Sequence, residues 1–312
     1  MIAVTAKTPL DIDGYACTFA YTELLNKTGR EAVGVALGEP HREIDFLNQE
    51  FDISPLPRNT ALLSQTEQIA LVDTSSLAGL PENFAADKVI EVIDHREAPD
   101  VAGIFPNARI QIEKIGAAAT LIAEKFRESG TPISREAAIL LHSTIALHTH
   151  NFQTSNTSPR DKAAYRWLAE VAAVPPNLVQ KILKLKSEFN DESFQEAIIG
   201  DIKEGTMNGK RLAIAQLEVV GLRKILTERK AQLLKILQEL QQAHRYDYLF
   251  LIANDFSART TTLVTEHEPT QQLVEEALND GTQFDDEGFA ERRGVLLRKE
   301  IIPRLRKELS QR

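Results

Sequence analysis

Cysteine is nearly absent: Cys17 is the single thiol in 312 residues, so no intrachain disulfide can brace the fold. That usage fits a reducing compartment, and a cytoplasmic location is expected. Cys17 lies in the apolar run Tyr15–Tyr21 and is expected to be a buried packing residue. No apolar run approaches the roughly 20 residues that span a bilayer, and the first residues lack a signal-peptide pattern. No membrane association is therefore expected. Aromatic residues make up only 6% of the chain, and 45 acidic against 36 basic side chains give a net charge of −9. Nucleic-acid partners need a basic face and stacking platforms, so none is expected. Global charge does not exclude a small anionic ligand, because a bound cation and a few local basic residues can reverse the sign inside a cleft.

What is present is an ordinary globular composition, 43% hydrophobic and 26% charged, at a length that favours two domains. The first half alternates short β-branched runs with helical patterns. Strands are predicted at Ile2–Thr5, Ala32–Ala36, Ile69–Val72 and Val89–Ile93, with a weaker one at Arg109–Ile112. Helices are predicted at Gly14–Lys27, Ala117–Ser129, Arg135–Thr149 and Pro159–Val171. This order predicts βαβ units and a mostly parallel sheet flanked by helices. The second half predicts a smaller α/β domain. A helix spans 193–201, a turn at Asn208-Gly209 leads into a strand over Leu212–Val219, and a long amphipathic helix covers Leu222–His244. Tyr248–Ala253 and Thr260–Val264 read as a hairpin, and the last segment, through Ile301-Ile302-Pro303, as a strand or helix. The expected organisation is therefore a first domain over 1–185, a polar linker over 186–192 and a second domain over 193–312.

Three aspartate-bearing segments each follow an apolar run: Asp11-Ile12-Asp13, Asp73, and Asp94-His95-Arg96. A residue at the end of a buried parallel strand sits at the mouth of an α/β sheet, where such sheets bind ligands. Carboxylate and imidazole together suit a divalent ion such as Mg²⁺ or Mn²⁺. A metal site that handles phosphate is the expectation. Taken singly, Asp11 and Asp13 also read as a helix cap. His142 reads as structural, and Gly116-Ala117-Ala118-Ala119-Thr120 as either tight packing or a helix start facing an anion.

The order Asp-x-Asp, Val-Asp, Asp-His-Arg and Gly-x-x-x-Thr resembles the DHH phosphoesterase superfamily, and the second half resembles its DHHA2-type domain. Asn208–Glu218, Tyr248–Ile252, Thr260–Val264 and Arg298–Pro303 carry the second likeness. The Gly-Gly-Gly-His motif of relatives that act on oligonucleotides has no counterpart, since the chain contains no Gly-Gly pair. The resemblance implies a metal-dependent phosphoanhydride hydrolase. It would be either a Prune-type exopolyphosphatase, acting on short polyphosphate, or a manganese-dependent family II inorganic pyrophosphatase. Asp94-His95-Arg96 and the run Leu140–Ile145 are more similar to the Prune type.

By the same resemblance, Asp73 would bridge two Mn²⁺, Co²⁺ or Mg²⁺ ions. Asp11 would serve the first, while Asp13 and His95 would serve the second. His148 stands where the family has an aspartate ligand, and Lys7 where it has a histidine. Asp94 would hold the tautomer of His95. Arg96, Lys7, Lys210, Arg298 and Lys299 would meet the substrate phosphate. One or two ions remain open, as does a homodimer, since pyrophosphatase relatives often pair through the edge of their first domain. The replacements at Lys7 and His148 also keep open a non-catalytic member that binds phosphate or nucleotide.

Overall fold

The computed structural model describes residues 1–96 and 98–311. The chain divides into two compact units, Met1–Ile182 and Leu183–Arg312. In the first, strands β1 (Ile2–Thr5), β2 (Ala32–Val35), β3 (Gln68–Val72), β4 (Val89–Asp94) and β5 (Arg109–Ile112) form one sheet. Its helices are α1 (Ile12–Lys27), α2 (Arg42–Glu50), α3 (Ala61–Gln65), α4 (Val101–Ile104), α5 (Ala118–Ser129), α6 (Arg135–His148) and α7 (Pro159–Ala172), and α8 (Leu178–Ser187) spans the boundary between the units. The second unit contains α9 (Asp191–Gly200), β6 (Ile202–Met207), β7 (Lys210–Val219), α10 (Leu222–His244), β8 (Tyr248–Asp255), β9 (Thr260–Val264), α11 (Glu268–Leu278), β10 (Phe289–Arg293) and α12 (Arg298–Leu309). Among the described residues, no helix is long and apolar enough to cross a membrane.

The first sheet has the order β2-β1-β3-β4-β5 and every neighbouring pair is parallel. The chain leaves β1 toward β2 on one side and reaches β3 on the other. The carboxyl ends of β1 and β3 therefore flank a topological switch point, where a crevice opens. The central strands are apolar on both faces because helices cover both, and Ala3, Val4, Ala70, Leu71, Val92 and Ile93 are fully buried. Helix α6 is buried along nearly its whole length from Ala137 to Leu147, which accounts for its unbroken apolar run.

The second sheet is mixed, in the order β10-β9-β8-β7-β6, with only β7 and β8 parallel. Along β8, Leu249, Leu251 and Ala253 enter a core with Phe194 of α9 and Leu233 and Leu237 of α10. The alternate residues Tyr248, Phe250 and Ile252 enter a second core with Leu273 of α11 and Ile301 and Leu305 of α12. Period-two alternation between two apolar faces explains why β8 reads as a continuous hydrophobic run.

Two details sharpen the sequence reading. Both ends of the expected linker are helical: α8 runs through Ser187 and α9 begins at Asp191, leaving 188–190 between them. The last segment, readable as strand or helix, is helix α12, opened by Arg298-Lys299, with the Glu300 carboxylate accepting from the Leu297 amide at 2.9 Å.

Candidate metal centre

The site is built at the carboxyl ends of β1, β3 and β4. After β1 the chain turns into α1, and Asp11 caps that helix: its Oδ1 accepts from the Gly14 amide at 3.0 Å. Asp13, in the first turn, is completely buried. Its two oxygens accept from the amides of Ala118 and Ala119, both at 2.9 Å, and Oδ1 also faces Cys17 Sγ at 3.3 Å. The N-cap of α5 is Ala117, which has no side chain to offer, so Asp13 satisfies that helix start from 105 positions away in sequence. The Gly116–Thr120 helix start does face an anion, and the anion is Asp13. Cys17 is buried as expected, but it touches the site, and burial together with Asp13 and Asp73 pushes its thiol well above the usual range.

Asp73 follows β3 in a left-handed conformation (φ 50°), which aspartate tolerates better than most residues. Its amide donates to the Ile93 carbonyl at 2.8 Å, tying the turn to the end of β4. The side chain is 1% exposed. Oδ1 stands 3.4 Å from His95 Nε2 and 2.5 Å from Arg96 Nη2. The guanidinium N–H is directed at the Asp73 carbonyl, 2.7 Å away, so neither Asp73 Oδ1 nor His95 Nε2 has a hydrogen bond of good geometry. His95 Nδ1 lies 3.0 Å from the Ile115 carbonyl. A carbonyl only accepts, so Nδ1 carries the proton and Nε2 points its lone pair at carboxylates.

His148, the last residue of α6, places Nδ1 3.7 Å from Asp13 Oδ2, and His95 Nε2 is 3.7 Å from the same oxygen. After it the backbone passes through three successive left-handed residues, His150, Asn151 and Phe152. The Thr149 side chain steadies that turn by accepting from the Phe152 amide at 3.1 Å. Two triads of ligating atoms result: Asp13, His95 and His148, and Asp73, Asp94 and His95. A buried imidazole nitrogen and a buried carboxylate oxygen facing each other without a proton donor between them form a cation site. The donor set therefore fits a divalent ion.

In the metal-free chain the same place draws a proton in place of a metal cation. Burial and the neighbouring Asp13 and Asp11 raise Asp73 to about 6, with Arg96 and His95 opposing. Burial disfavours charge on His95, but Asp73 and Asp13 outweigh it and raise the imidazole to about 9. Burial would also raise Asp11, yet His148, the Gly14 amide, Arg96 and His41 together hold it below its usual range.

Other expected residues fall elsewhere. Asp11 belongs to neither triad among the described residues. Asp94 does not hold the His95 tautomer, because the ring turns Nδ1 to the Ile115 carbonyl. Asp94 Oδ1 instead accepts from the His95 amide at 2.7 Å, the Arg96 amide at 3.2 Å and Arg96 Nε at 3.4 Å. Arg96 thus rests on Asp73 and Asp94, with its side chain 40% exposed. Lys7 is half-buried, and its amide donates to Thr74 Oγ1 at 2.9 Å. In the second unit, Lys210 pairs with Asp247 at 3.2 Å and Arg298 with Asp201, while Lys299 is exposed at the start of α12. His142 is buried and stacked on Tyr165, 4.0 Å between ring centroids.

One supporting residue escapes the sequence reading. Asp161, fully buried, accepts from the Gly116 amide at 3.1 Å, the Ser158 amide at 2.7 Å and Thr120 Oγ1 at 2.6 Å. It clamps the loop that carries both the Ile115 carbonyl and the start of α5. Gly116 has no room for a side chain, since a Cβ there would lie 2.4 Å from Thr149. The Ser158–Asp161 spacing is a capping-box signal, which marks the helix start but not the residue's reach to Gly116.

Known proteins share this fold. The DHHA2 domain family matches residues 180–307. A manganese-dependent inorganic pyrophosphatase of Methanothrix thermoacetophila is 25% identical, over 81% of each chain. A protein of Lactobacillus acidophilus, provisionally named as the same enzyme, is 27% identical over 95% of this chain and 94% of that one. A solved structure from Methanococcus jannaschii, provisionally assigned to the family II inorganic pyrophosphatases, superposes with a TM-score of 0.74 at 22% identity, covering 99% of this chain and 100% of that one. The chain thus carries a DHHA2 domain on its C-terminal side, is similar along nearly its whole length to proteins named manganese-dependent inorganic pyrophosphatases, and shares the fold of the Methanococcus jannaschii protein.

Proposed function

We propose that this protein is a metal-dependent phosphoanhydride hydrolase acting on pyrophosphate or short inorganic polyphosphate. The observation that carries the reading is the buried pair of acceptors, Asp73 Oδ1 and His95 Nε2, 3.4 Å apart with Asp13 and His148 beside them. The relatives named as manganese-dependent pyrophosphatases support the reaction class. Asp13, His95 and His148 would hold the ion, with Asp73 against it on the far side of His95. Two imidazoles in the set favour Mn²⁺, Co²⁺ or Zn²⁺ over Mg²⁺. Such an ion lowers the pKa of water and compensates charge on phosphoryl oxygens.

The chain's own residues supply position. Ala118 and Ala119 amides fix the Asp13 carboxylate, the Ile115 carbonyl fixes the His95 ring, and the left-handed turn at Asp73 aims its carboxylate inward. Arg96 has one guanidinium nitrogen, Nη1, left for a phosphate oxygen, and Lys7 adds an ammonium that makes no ion pair among the described residues. Lys210 and Arg298 are engaged by Asp247 and Asp201 and carry no part of this reading. A small phosphoanhydride suits the net charge of −9 better than nucleic acid does.

The test is phosphate release from pyrophosphate and tripolyphosphate with Mn²⁺, for the parent and for Asp73→Asn. Activity in the parent and a loss of at least a hundredfold in the variant are expected. Equal rates would refute the assignment.

A further inference from the structure

We infer that the centre takes a single divalent ion, and that the Arg96 guanidinium holds, as a fixed cation, the position a second ion would need. The inference rests on the hydrolase reading above. Two triads overlap at the site, and both require His95. Only one of its nitrogens is free to ligate, because Nδ1 is committed to the Ile115 carbonyl at 3.0 Å. One lone pair on Nε2 serves one ion.

The spacing identifies which triad it serves. Ligand atoms around a tetrahedral ion with bonds of about 2.1 Å lie about 3.4 Å apart. His95 Nε2 is 3.7 Å from Asp13 Oδ2, His148 Nδ1 is 3.7 Å from that same oxygen, and Asp73 Oδ1 is 3.4 Å from His95 Nε2. Asp13 Oδ2, His95 Nε2 and His148 Nδ1 form one shell, which Asp73 Oδ1 meets through His95 alone.

Without His95, the second triad is reduced to Asp73 and Asp94, and Arg96 already lies on both. Its Nη2 is 2.5 Å from Asp73 Oδ1 and donates to the Asp73 carbonyl at 2.7 Å, while Nε reaches Asp94 Oδ1 at 3.4 Å. Asp94 Oδ1 accepts two backbone amides as well. A guanidinium does not lose its proton under working conditions, so a second ion would have to expel it from two carboxylates. Asp11, the remaining carboxylate of the group, has its Oδ1 on the Gly14 amide and stands outside both triads.

The experiment titrates the metal-free full chain with Mn²⁺, counting bound ions by native mass spectrometry and reading spin coupling by electron paramagnetic resonance. One ion per chain and an uncoupled spectrum are expected. His148→Ala should weaken that ion at least tenfold, and Arg96→Ala should admit a second. Two ions in the parent, or a spin-coupled pair, overturn the single-ion inference and leave the hydrolase reading standing. One ion indifferent to His148→Ala overturns the assigned shell, and Arg96→Ala limited to one ion overturns the role of Arg96. A chain that takes up no ion refutes both readings.

Discussion

Asp161 gives the sharpest test of how the centre is held together. Its carboxylate receives the buried Gly116 amide, the Ser158 amide and the Thr120 hydroxyl at 2.6–3.1 Å. Asp161→Leu keeps the branched shape but removes both acceptor oxygens, leaving the buried Gly116 amide without its partner. A buried donor left without an acceptor costs roughly 1–3 kcal/mol, so a loss of about 2 kcal/mol is expected. For a unit of this size that lowers Tm by about 4–8 °C. The functional consequence is separate. The Ile115 carbonyl that orients His95 and the amides that orient Asp13 sit on either side of Gly116, so loosening the clamp disorders two ligands together. Loss of such support typically weakens metal binding by about 10–100-fold. Thermal unfolding without metal measures the first effect, and calorimetric titration with Mn²⁺, well below Tm, measures the second. A variant with the predicted drop in Tm but an affinity within twofold of the parent would refute the positioning role and leave Asp161 a helix cap.

Two further outcomes follow from other residues. Burial pushes the His142 imidazole down to about 4 from 6.5, so the folded state excludes a proton that the unfolded chain binds. Stability is therefore full above about pH 6.5 and falls as pH drops toward 4, by about 3 kcal/mol; the gap in unfolding free energy between the parent and His142→Phe, measured from pH 7 to 4.5, should shift by most of that, and a constant gap would refute it. Lys7→Met should raise KM for pyrophosphate about tenfold with little change in kcat, most strongly at low salt; a KM unaffected at 50 mM salt would remove Lys7 from substrate binding.

The sequence carries the site because its chemistry is written in side chains at strand ends. Asp73, Asp94 and His95 each follow an apolar run, and a parallel sheet brings such ends together whatever the loops do. The supports are far less legible. The tautomer of His95 is set by a backbone carbonyl at Ile115, and every residue type has one. The reach of Asp161 to Gly116 spans 45 positions and leaves no local pattern beyond its helix cap. In the second unit, β7, α10, β8 and β9 are predicted from their apolar periodicity, whereas β6 and β10 are not. Both are edge strands in which exposed Lys203, Glu204, Glu291 and Arg293 stand beside the residues that reach a core, Ile202 and Met207 in β6 and Phe289 and Ala290 in β10, so no apolar run marks them. Helix α2 is hidden for a related reason: it buries only Glu43, Ile44 and Leu47 from a polar segment.

Charge explains why the departures at Lys7 and Arg96 belong together. Asp11, Asp13, Asp73 and Asp94 bring four negative charges to one crevice. A single divalent ion and the Arg96 guanidinium return three, which leaves the centre short by one before an anionic substrate arrives. Lys7 lies on the loop after β1, hydrogen-bonded to the loop after β3 through Thr74, and its ammonium makes no ion pair among the described residues. With it the local sum reaches zero, and a phosphate anion no longer meets a net negative site. A centre with two divalent ions would not need that lysine, and beside two such ions an ammonium would be repelled. Fixed cations from the chain and a single exchangeable ion are thus one electrostatic solution, and removing Lys7 should weaken substrate binding while leaving the ion in place.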